Sequence, residues 1–195
     1  AEGLMVSRSL MYTTVYFHET VRIAQRMLTK AVENSGLDLS DIYLRGDADL
    51  MSMVVSAGGR PSRSIRRLQA RMLDKKAFAL YSDDMTEEKA EVLLGYTGRE
   101  GARRLEREVA EAAGVDEYDV GAEVTSSSNL QGRMKIGKTD VAIADDGGRI
   151  KSLSRFSPIA RSLQARDPYG WAVLISAPER ERDAVRRAAS KVLGF

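Results

Sequence analysis

Residues 4–32 constrain the fold most, because this stretch contains neither Gly nor Pro and its apolar residues recur at helical spacing. The pattern predicts one long opening helix. Arg8, Tyr12 and Tyr16 follow one another at intervals of four, so such a helix places them on one stripe. The same stretch carries more apolar residues than one face can bury against a small domain. We therefore expect the helix to contact a second copy of the chain or a partner subunit.

The composition of the chain excludes several kinds of site and of protein. The chain of 195 residues has no Cys, and His18 is its only histidine. These counts exclude disulfides and any multi-histidine metal site within one chain. The apolar runs are too short to cross a membrane, so we expect a cytoplasmic protein. A net charge of +2 gives no argument for nucleic-acid binding from the total charge.

The chain divides into two regions, which we predict to be a helical segment at 1–74 and an α+β accessory domain at 75–195. In the first region, a helix is expected at 47–57, with Asp47 or Asp49 as its cap. Residues 58–61 break that helix. An amphipathic helix follows at 62–73, with Ile65, Leu68 and Met72 on the apolar face and arginines on the opposite face.

The second region alternates between strand and helix patterns. The pattern predicts strands at 76–82, 117–124, 139–145 and 170–176, helices at 86–94, 98–114, 157–166 and 178–194, a loop at 125–138 and a tight turn at 146–149. The predicted fold class is therefore α+β: an N-terminal helical segment followed by a small antiparallel or mixed sheet backed by helices.

The stretch from Arg8 to His18, RSLMYTTVYFH, resembles the helix that follows the catalytic half of HD-domain phosphohydrolases of the deoxynucleoside triphosphate triphosphohydrolase type. Weaker similarity continues in DADLMSMV, RRLQARML and GGRIKSLSRFSPIARSLQ. The chain contains no His-Asp pair, so the HD metal-binding signature is absent. The resemblance therefore implies a C-terminal portion that is inactive by itself. The resemblance implies no cofactor in this chain and a divalent metal in the missing HD half.

The resemblance also implies roles for individual residues. Arg8 would reach a substrate phosphate, Tyr12 would line the sugar and phosphate channel, and Tyr16 would stack on the base or sugar. His18 and Glu19 would face a subunit interface or an allosteric nucleotide site. No catalytic residue is predicted, since His18 has no evident partner for general-base chemistry.

A basic run extends along the predicted helix at 62–73 and its two flanks, and it consists of Arg60, Arg63, Arg66, Arg67, Arg71, Lys75 and Lys76. Its cations create a local field suited to phosphates, although a charged helix face is usually only solvated. In the resembling family this part lies near regulatory and oligomer interfaces, which implies a regulatory or interface role for four arginines: Arg63, Arg66, Arg67 and Arg71.

Three readings of the whole chain stay open. The first is an HD-superfamily accessory region whose partners are a second copy or the missing N-terminal half, with a nucleotide as candidate ligand. The second is a stand-alone protein-interaction and oligomerisation module without enzymatic activity. Binding of RNA or DNA through the arginine helix ranks last, because few aromatic residues accompany those arginines.

Overall fold

The computed structural model describes residues 1–125, 141–144, 147–165 and 170–195. The described helices are α1 (Glu2–Met11), α2 (Glu19–Glu33), α3 (Leu39–Ile42), α4 (Asp47–Ser56), α5 (Gly59–Gln69), α6 (Glu87–Leu94), α7 (Gly98–Ala113), α8 (Pro158–Ala165) and α9 (Arg182–Leu193). The strands are β1 (Lys75–Tyr81), β2 (Gly121–Val124), β3 (Ala142–Ala144), β4 (Ile150–Ser152) and β5 (Trp171–Ala177). The predicted α+β class is confirmed, with the N-terminal helices preceding the sheet.

The main sheet is antiparallel, in the order β1-β5-β2. Every residue of the central strand β5 is buried, and Val173 lies opposite both Leu80 and Val124. Helices α7 and α9 cover one face of the sheet, where Leu105, Val109 and other apolar side chains form the largest core cluster. Helix α2 covers the other face. The sheet therefore connects the first helical region to the rest of the chain.

Helix α2 joins the sheet through a small apolar cluster. Its Ile23 and Met27 pack against Trp171 and Leu174 of β5. The C-terminal part of α2 packs on α5 and α4, where Ala31, Val54 and Ile65 are fully buried. Because α2 is packed along its length against the sheet and against α5, the polar residues on its remaining surface have fixed positions.

The prediction of one continuous opening helix is wrong. Helix α1 ends at Met11, a π-helical turn follows at Tyr12–Tyr16, and α2 begins only after His18. The Nδ1 atom of His18 accepts a hydrogen bond from the backbone N–H of Thr20 at 3.3 Å, so the imidazole caps α2.

Two sets of hydrogen bonds explain this break. Within the helix, the hydroxyls of Thr13 and Thr14 donate to the carbonyl of Leu10 at 3.2 and 2.7 Å, a pattern that bends helices. From the sheet, Trp171 Nε1 donates to the carbonyl of Phe17 at 3.2 Å and satisfies it outside the helix. Apolar periodicity continues across the break, so the sequence pattern did not reveal it.

Several element bounds also differ from prediction. Helix α5 starts at Gly59 rather than at residue 62, and it ends at Gln69 rather than at residue 73. Arg71 has a φ of 56°, which is incompatible with helix, and Met72 is 64% exposed instead of belonging to the apolar face. Helix α4 begins at Asp47, and its N-cap residue is Gly46, so neither aspartate occupies the cap position. Asp49 still marks the start of the helix, because its Oδ2 accepts the backbone N–H of Gly46 at 3.4 Å.

The predicted strand at 117–124 and the predicted final helix at 178–194 each begin with a short 3₁₀ turn. Glu117–Asp119 form the first turn, and β2 starts only at Gly121. Glu179–Glu181 form the second turn before α9. The helix stop predicted at Gly114 is confirmed by its left-handed conformation, φ 67°.

A second, two-stranded sheet pairs β3 with β4, and Ile143 lies opposite Lys151. Met5 of α1 packs with Leu153 and Ala160 beside this sheet. The predicted loop at 125–138 lies outside the described residues, except for residue 125. Of the predicted turn at 146–149, the structure describes residues 147–149, which lie between the antiparallel strands β3 and β4, with Gly148 at a φ of 72°. The division near residue 74 into two domains stays a prediction. In the part of the chain that the structure describes, no helix is both long and apolar enough to cross a bilayer.

Candidate functional site

A cavity of about 470 Å³ lies between α2, α5 and the segment that follows β5. We call it the arginine cavity. Among the described residues, six cationic side chains line it against three carboxylates. The cations are Arg26, Lys30, Arg60, Arg63, Arg67 and Arg180, and the carboxylates are Asp74, Asp119 and Glu179. The lining comes from several segments that are distant in sequence.

A buried carboxylate fixes the two cations from α2. Glu106 of α7 is only 1% exposed. Arg26 donates to its two oxygens at 2.8 and 2.7 Å, and Lys30 Nζ lies 3.4 Å from one of them. The carboxylate also accepts the backbone N–H of Ala122 at 2.8 Å. A bidentate, fully hydrogen-bonded pair of this kind has a definite geometry, so Arg26 is held in place before any ligand arrives.

Lys30 ties the loop before β2 to α2. Its ammonium donates to the carbonyl oxygens of Glu117, at 2.8 Å, and of Val120. Burial lowers the pKa of Lys30, and the nearby charge of Glu106 opposes that effect. These contacts place Tyr118 at the cavity wall. Its ring centroid lies 5.7 Å from Lys30 Nζ, and its hydroxyl lies 3.1 Å from the hydroxyl of Ser64.

Helix α5 supplies two cations that already have carboxylate partners. Arg67 donates to Asp74 at 2.8 Å, yet burial raises the pKa of Asp74 because it outweighs the attraction to Arg67. Arg60 pairs with Asp116, and this hydrogen bond holds the pKa of Asp116 below its usual range.

Arg63 differs from these neighbours. Its side chain is exposed, and among the described residues it makes no hydrogen bond, ion pair or ring contact. Its charge at the mouth of the cavity is therefore uncompensated.

The charges and donors of this arrangement suit the binding of an anion. Guanidinium groups match phosphate oxygens in a bidentate fashion, and clustered cations at low-dielectric walls strengthen the local field. Within the described ranges, no group of three or more His, Cys, Asp or Glu side chains converges to hold a metal ion. The described residues therefore do not fit the divalent metal of an HD site.

The structure separates the four arginines of the predicted regulatory surface. Arg63 and Arg67 line the cavity, whereas Arg66 and Arg71 are exposed and lie outside its lining. The other two residues in the predicted set lie elsewhere. His18 caps α2, and Glu19 forms an ion pair with Lys76 at 2.7 Å and accepts a hydrogen bond from Tyr81.

The three predicted substrate-facing residues lie together, away from the arginine cavity. Arg8 donates to the Tyr12 hydroxyl at 3.2 Å, and the Tyr12 and Tyr16 ring centroids are 5.2 Å apart. The same segment carries exposed apolar side chains, which we call the N-terminal surface: Leu4, Leu10, Met11, Val15 and Tyr16. Leu4 is 72% exposed, and Leu10 is 52% exposed. Binding roles for Arg8, Tyr12 and Tyr16 remain predictions.

Sequence reasoning missed most of the cavity wall. Arg26 and Lys30 stand four residues apart on α2, a spacing that could have placed them on one helix face. Arg60 was noted only as part of the basic run. Tyr118 and Arg180 had no sequence signal, because each reaches the cavity from a short 3₁₀ turn whose position depends on packing.

Comparison with known proteins places the chain in a family. The uncharacterized protein MJ1154 of Methanocaldococcus jannaschii is 27% identical over 191 residues, which cover 95% of this chain and 39% of that protein. The chain thus spans about two fifths of the length of this relative. A family model described as the HD associated region matches residues 1–195. Because that match covers the whole chain, the protein belongs to the HD associated region family.

Proposed function

We propose that this chain is the accessory region of an HD-superfamily nucleotide phosphohydrolase that acts on deoxynucleoside triphosphates, and that it binds a phosphate-bearing ligand in the arginine cavity. The observation that carries the proposal is the convergence of six cationic side chains in one cavity, where Arg63 has no carboxylate partner among the described residues. Family membership supports an accessory role beside an HD domain. The preference for triphosphates rests on the resemblance of residues 8–18.

The charges of the cavity favour a ligand over a purely solvated ion-pair network. Five of its six cations have carboxylate partners, and these pairs hold the wall in shape. Arg63 has none among the described residues. A phosphate at the mouth would pair with Arg63 and share the donors of the neighbouring cations, so its charge would be compensated without breaking the buried pairs.

The second part of the proposal concerns the N-terminal surface. Met5, on the other side of α1, is buried against Leu153 and Ala160, so the helix is anchored while its apolar outer side stays uncovered. We assign this surface to an HD domain, in keeping with the family description. Docking there would bring Arg8 and Tyr12 to the substrate site, with the hydrolytic metal ligands supplied by the HD domain.

The alternative is an interaction module that uses the same surface to pair with a second copy. The exposed side chains of Leu4 and Leu10 favour some partner but do not choose between the two. Sedimentation velocity at micromolar concentration separates them. If the wild type is a dimer and Leu10→Asp dissociates it, the interaction module is favoured. If the wild type and the variant are both monomers, the HD domain remains the partner assigned to this surface.

Ligand binding is tested by thermal unfolding and titration calorimetry of the chain with dNTPs, GTP and the corresponding nucleosides. Binding to the native state raises the unfolding midpoint, so we expect a rise with the phosphorylated ligands and none with nucleosides. Arg63→Ala should weaken binding about tenfold, the loss of one charge-assisted contact. Arg66→Ala is the matched control, since it removes an exposed arginine from the same helix outside the cavity.

Either of two results would contradict the proposal. One is the absence of any shift with every nucleotide, which would leave the cavity a structural ion-pair network. The other is equal weakening by Arg63→Ala and Arg66→Ala, which would show only a diffuse effect of charge. Hydrolysis of dNTPs by the purified chain with Mg²⁺ would contradict the accessory role.

A further inference from the structure

Strand β1 forms an edge of the main sheet. In the order β1-β5-β2 it pairs with β5 alone among the described residues. Alternate backbone N–H and C=O groups of an edge strand point away from the sheet, where a further extended segment can pair with them. The opposite edge strand, β2, has four residues, whereas β1 has seven. β1 is therefore the longer of the two sheet edges.

A groove of about 330 Å³ runs along this edge, between β1 and α9. We call it the edge groove. Helix α9 lines it with Arg182, Arg186 and Ser190, which stand four residues apart and so share one stripe of the helix. At a helical rise of about 1.5 Å per residue the stripe is about 12 Å long, and β1 spans about 17 Å from Lys76 to Tyr81. The edge groove therefore has room for an extended segment of about five residues.

The charges that line the edge groove have one sign. Its described lining residues include three cations, Lys76, Arg182 and Arg186, and no carboxylate. Two of these cations have partners beside the groove, because Lys76 pairs with Glu19 at 2.7 Å and Arg182 with Glu179 at 3.6 Å. Arg186 is exposed and makes no hydrogen bond, ion pair or ring contact within the part of the chain that the structure describes. Its charge is available to a carboxylate of a partner.

An added strand would meet different surroundings on its two faces. On the side of the sheet that α9 covers, Ala77 and Leu80 of β1 belong to the largest core cluster. On the side that α2 covers, Ala79 packs against the small cluster around Trp171. Successive residues of a strand point to opposite faces of a sheet. A strand beside β1 would therefore direct every second side chain towards the arginines of α9 and the others towards the α2 side.

We propose that the edge groove binds an acidic segment of a partner protein in extended conformation, which pairs with β1 as a fourth strand of the main sheet. Acidic side chains at every second position contact Arg182 and Arg186. Main-chain hydrogen bonds supply the affinity, and the charges determine which segments bind. The edge groove shares no described lining residue with the arginine cavity, so this site is independent of the proposed phosphate site.

A second copy of the chain fits this edge less well. Pairing of β1 with β1 of another copy would bring together two grooves, each with three cations and no carboxylate among the described lining residues. Like charges that face each other across paired strands are destabilising. An acidic segment instead compensates the charge of Arg186, so charge complementarity favours it as the occupant.

The test is fluorescence anisotropy of the whole chain with the labelled peptide Glu-Val-Glu-Thr-Glu-Val-Glu, whose acidic side chains share one face of a strand. We expect this peptide to bind, and the same peptide with Lys in place of every Glu not to bind. Arg186→Glu should weaken binding about tenfold or more, since it replaces an attraction by a repulsion. Arg187→Glu is the matched control and should change affinity less than about twofold. Arg187 is the adjacent exposed arginine and lies outside the groove lining.

Two N-methylated forms of the peptide test the strand pairing itself. Methyl groups on alternate residues remove alternate N–H donors, and only one of the two alternating sets faces β1 in an added strand. One form should therefore lose binding while the other retains it. A further measurement needs no variant: hydrogen exchange should slow at residues 76–81 when the unmethylated peptide binds and should stay unchanged in β2.

Failure of the acidic peptide to bind at millimolar concentration would overturn the proposal. Equal affinities of the two methylated forms, or equal weakening by Arg186→Glu and Arg187→Glu, would also overturn it, because either result would show only a diffuse attraction of charge. Exchange at 76–81 that slows with protein concentration in the absence of peptide would assign the edge to a second copy instead. None of these results bears on phosphate binding in the arginine cavity.

Discussion

In the arginine cavity, cations from distant segments are held by carboxylates across the fold, whereas the side chains of the N-terminal surface mainly contact neighbours on their own helical segment. Arg26 meets Glu106 across a separation of 80 residues. Arg8 meets Tyr12, four residues away. The first arrangement is fixed by the tertiary structure and is ready for a small ligand. The second leaves apolar side chains exposed and suits a macromolecular partner.

The largest effect should come from the carboxylate that organises the cavity. Glu106→Gln leaves the charges of Arg26 and Lys30 in a buried site without their partner, and we expect a loss of about 3–5 kcal/mol in the free energy of unfolding. Urea denaturation measures it. Glu111→Gln, at an exposed position on the same helix, should change stability by less than about 0.5 kcal/mol. Equal small losses would mean that the cavity is not held by Glu106.

Glu33 should give a smaller, pH-dependent effect. Burial acts to raise the pKa of Glu33, but the hydrogen bond from Arg103 and the charges of Arg103, Arg26 and Arg99 outweigh it and lower the pKa. A lowered pKa contributes stability that is present above the ordinary glutamate pKa and is lost as pH falls through the folded-state value.

Glu33→Gln should therefore cost about 1–2 kcal/mol at neutral pH, which is less than hydrogen bonds to a fully buried charge contribute, because Arg99 and Arg103 are exposed and solvent screens the pairs. The unfolding free energies of wild type and variant should converge as the pH falls well below about 4. Urea denaturation across the pH range measures the difference. If the difference in unfolding free energy between wild type and variant is the same at all pH values, the charge of Glu33 is not what stabilises the folded state. Glu91→Gln, which removes an exposed glutamate from α6, serves as the control.

Substitutions at the break between α1 and α2 should have a smaller effect on the free energy of unfolding. His18→Ala removes the side-chain cap of α2 and should cost about 1 kcal/mol, as other N-cap losses do. His18→Asn restores an acceptor at the same position and should recover most of the loss. Thermal unfolding of the two variants compares them. If both unfold at the wild-type midpoint, the Trp171 hydrogen bond to Phe17 is sufficient to position the break.

The smallest effect on this chain should come from Arg8. Its contacts are local and exposed, so Arg8→Ala should change the unfolding free energy by less than about 0.5 kcal/mol and leave triphosphate binding unchanged. Calorimetry and urea denaturation together test this. Loss of triphosphate affinity in Arg8→Ala would contradict the separation of the two regions, and it would place Arg8 in the same site as Arg63.

Local patterns predicted most elements of the second region well. Thr86, Ser157 and Gly114 stand at helix ends where the predicted bounds place them, and the apolar run at 170–176 matches β5. These signals are short-range: a cap, a left-handed glycine or an apolar run depends on a few adjacent residues. The predictions failed where a distant group decided the conformation, as at Phe17.

The candidate site shows the same limit. The basic run suggested phosphate binding near Arg63 and Arg67, and the structure places both at the cavity. It did not separate them from Arg66, which lies within α5 but outside the cavity lining, or from Arg71, which lies beyond the end of the helix at φ 56°. Charge alone identified the neighbourhood, and the orientation and the end of α5 selected the residues.

By itself, the sequence determined the α+β class, the apolar positions Ile65 and Leu68 of α5, and the local excess of positive charge, since each depends on spacing along the chain. Only the tertiary structure decided that Arg26, Lys30 and Tyr118 meet beside Glu106, and that Trp171 ends the opening helical segment 154 residues away. The reason is physical: hydrogen bonds and ion pairs depend on distance in space, and packing of α2 on the sheet brings these residues together.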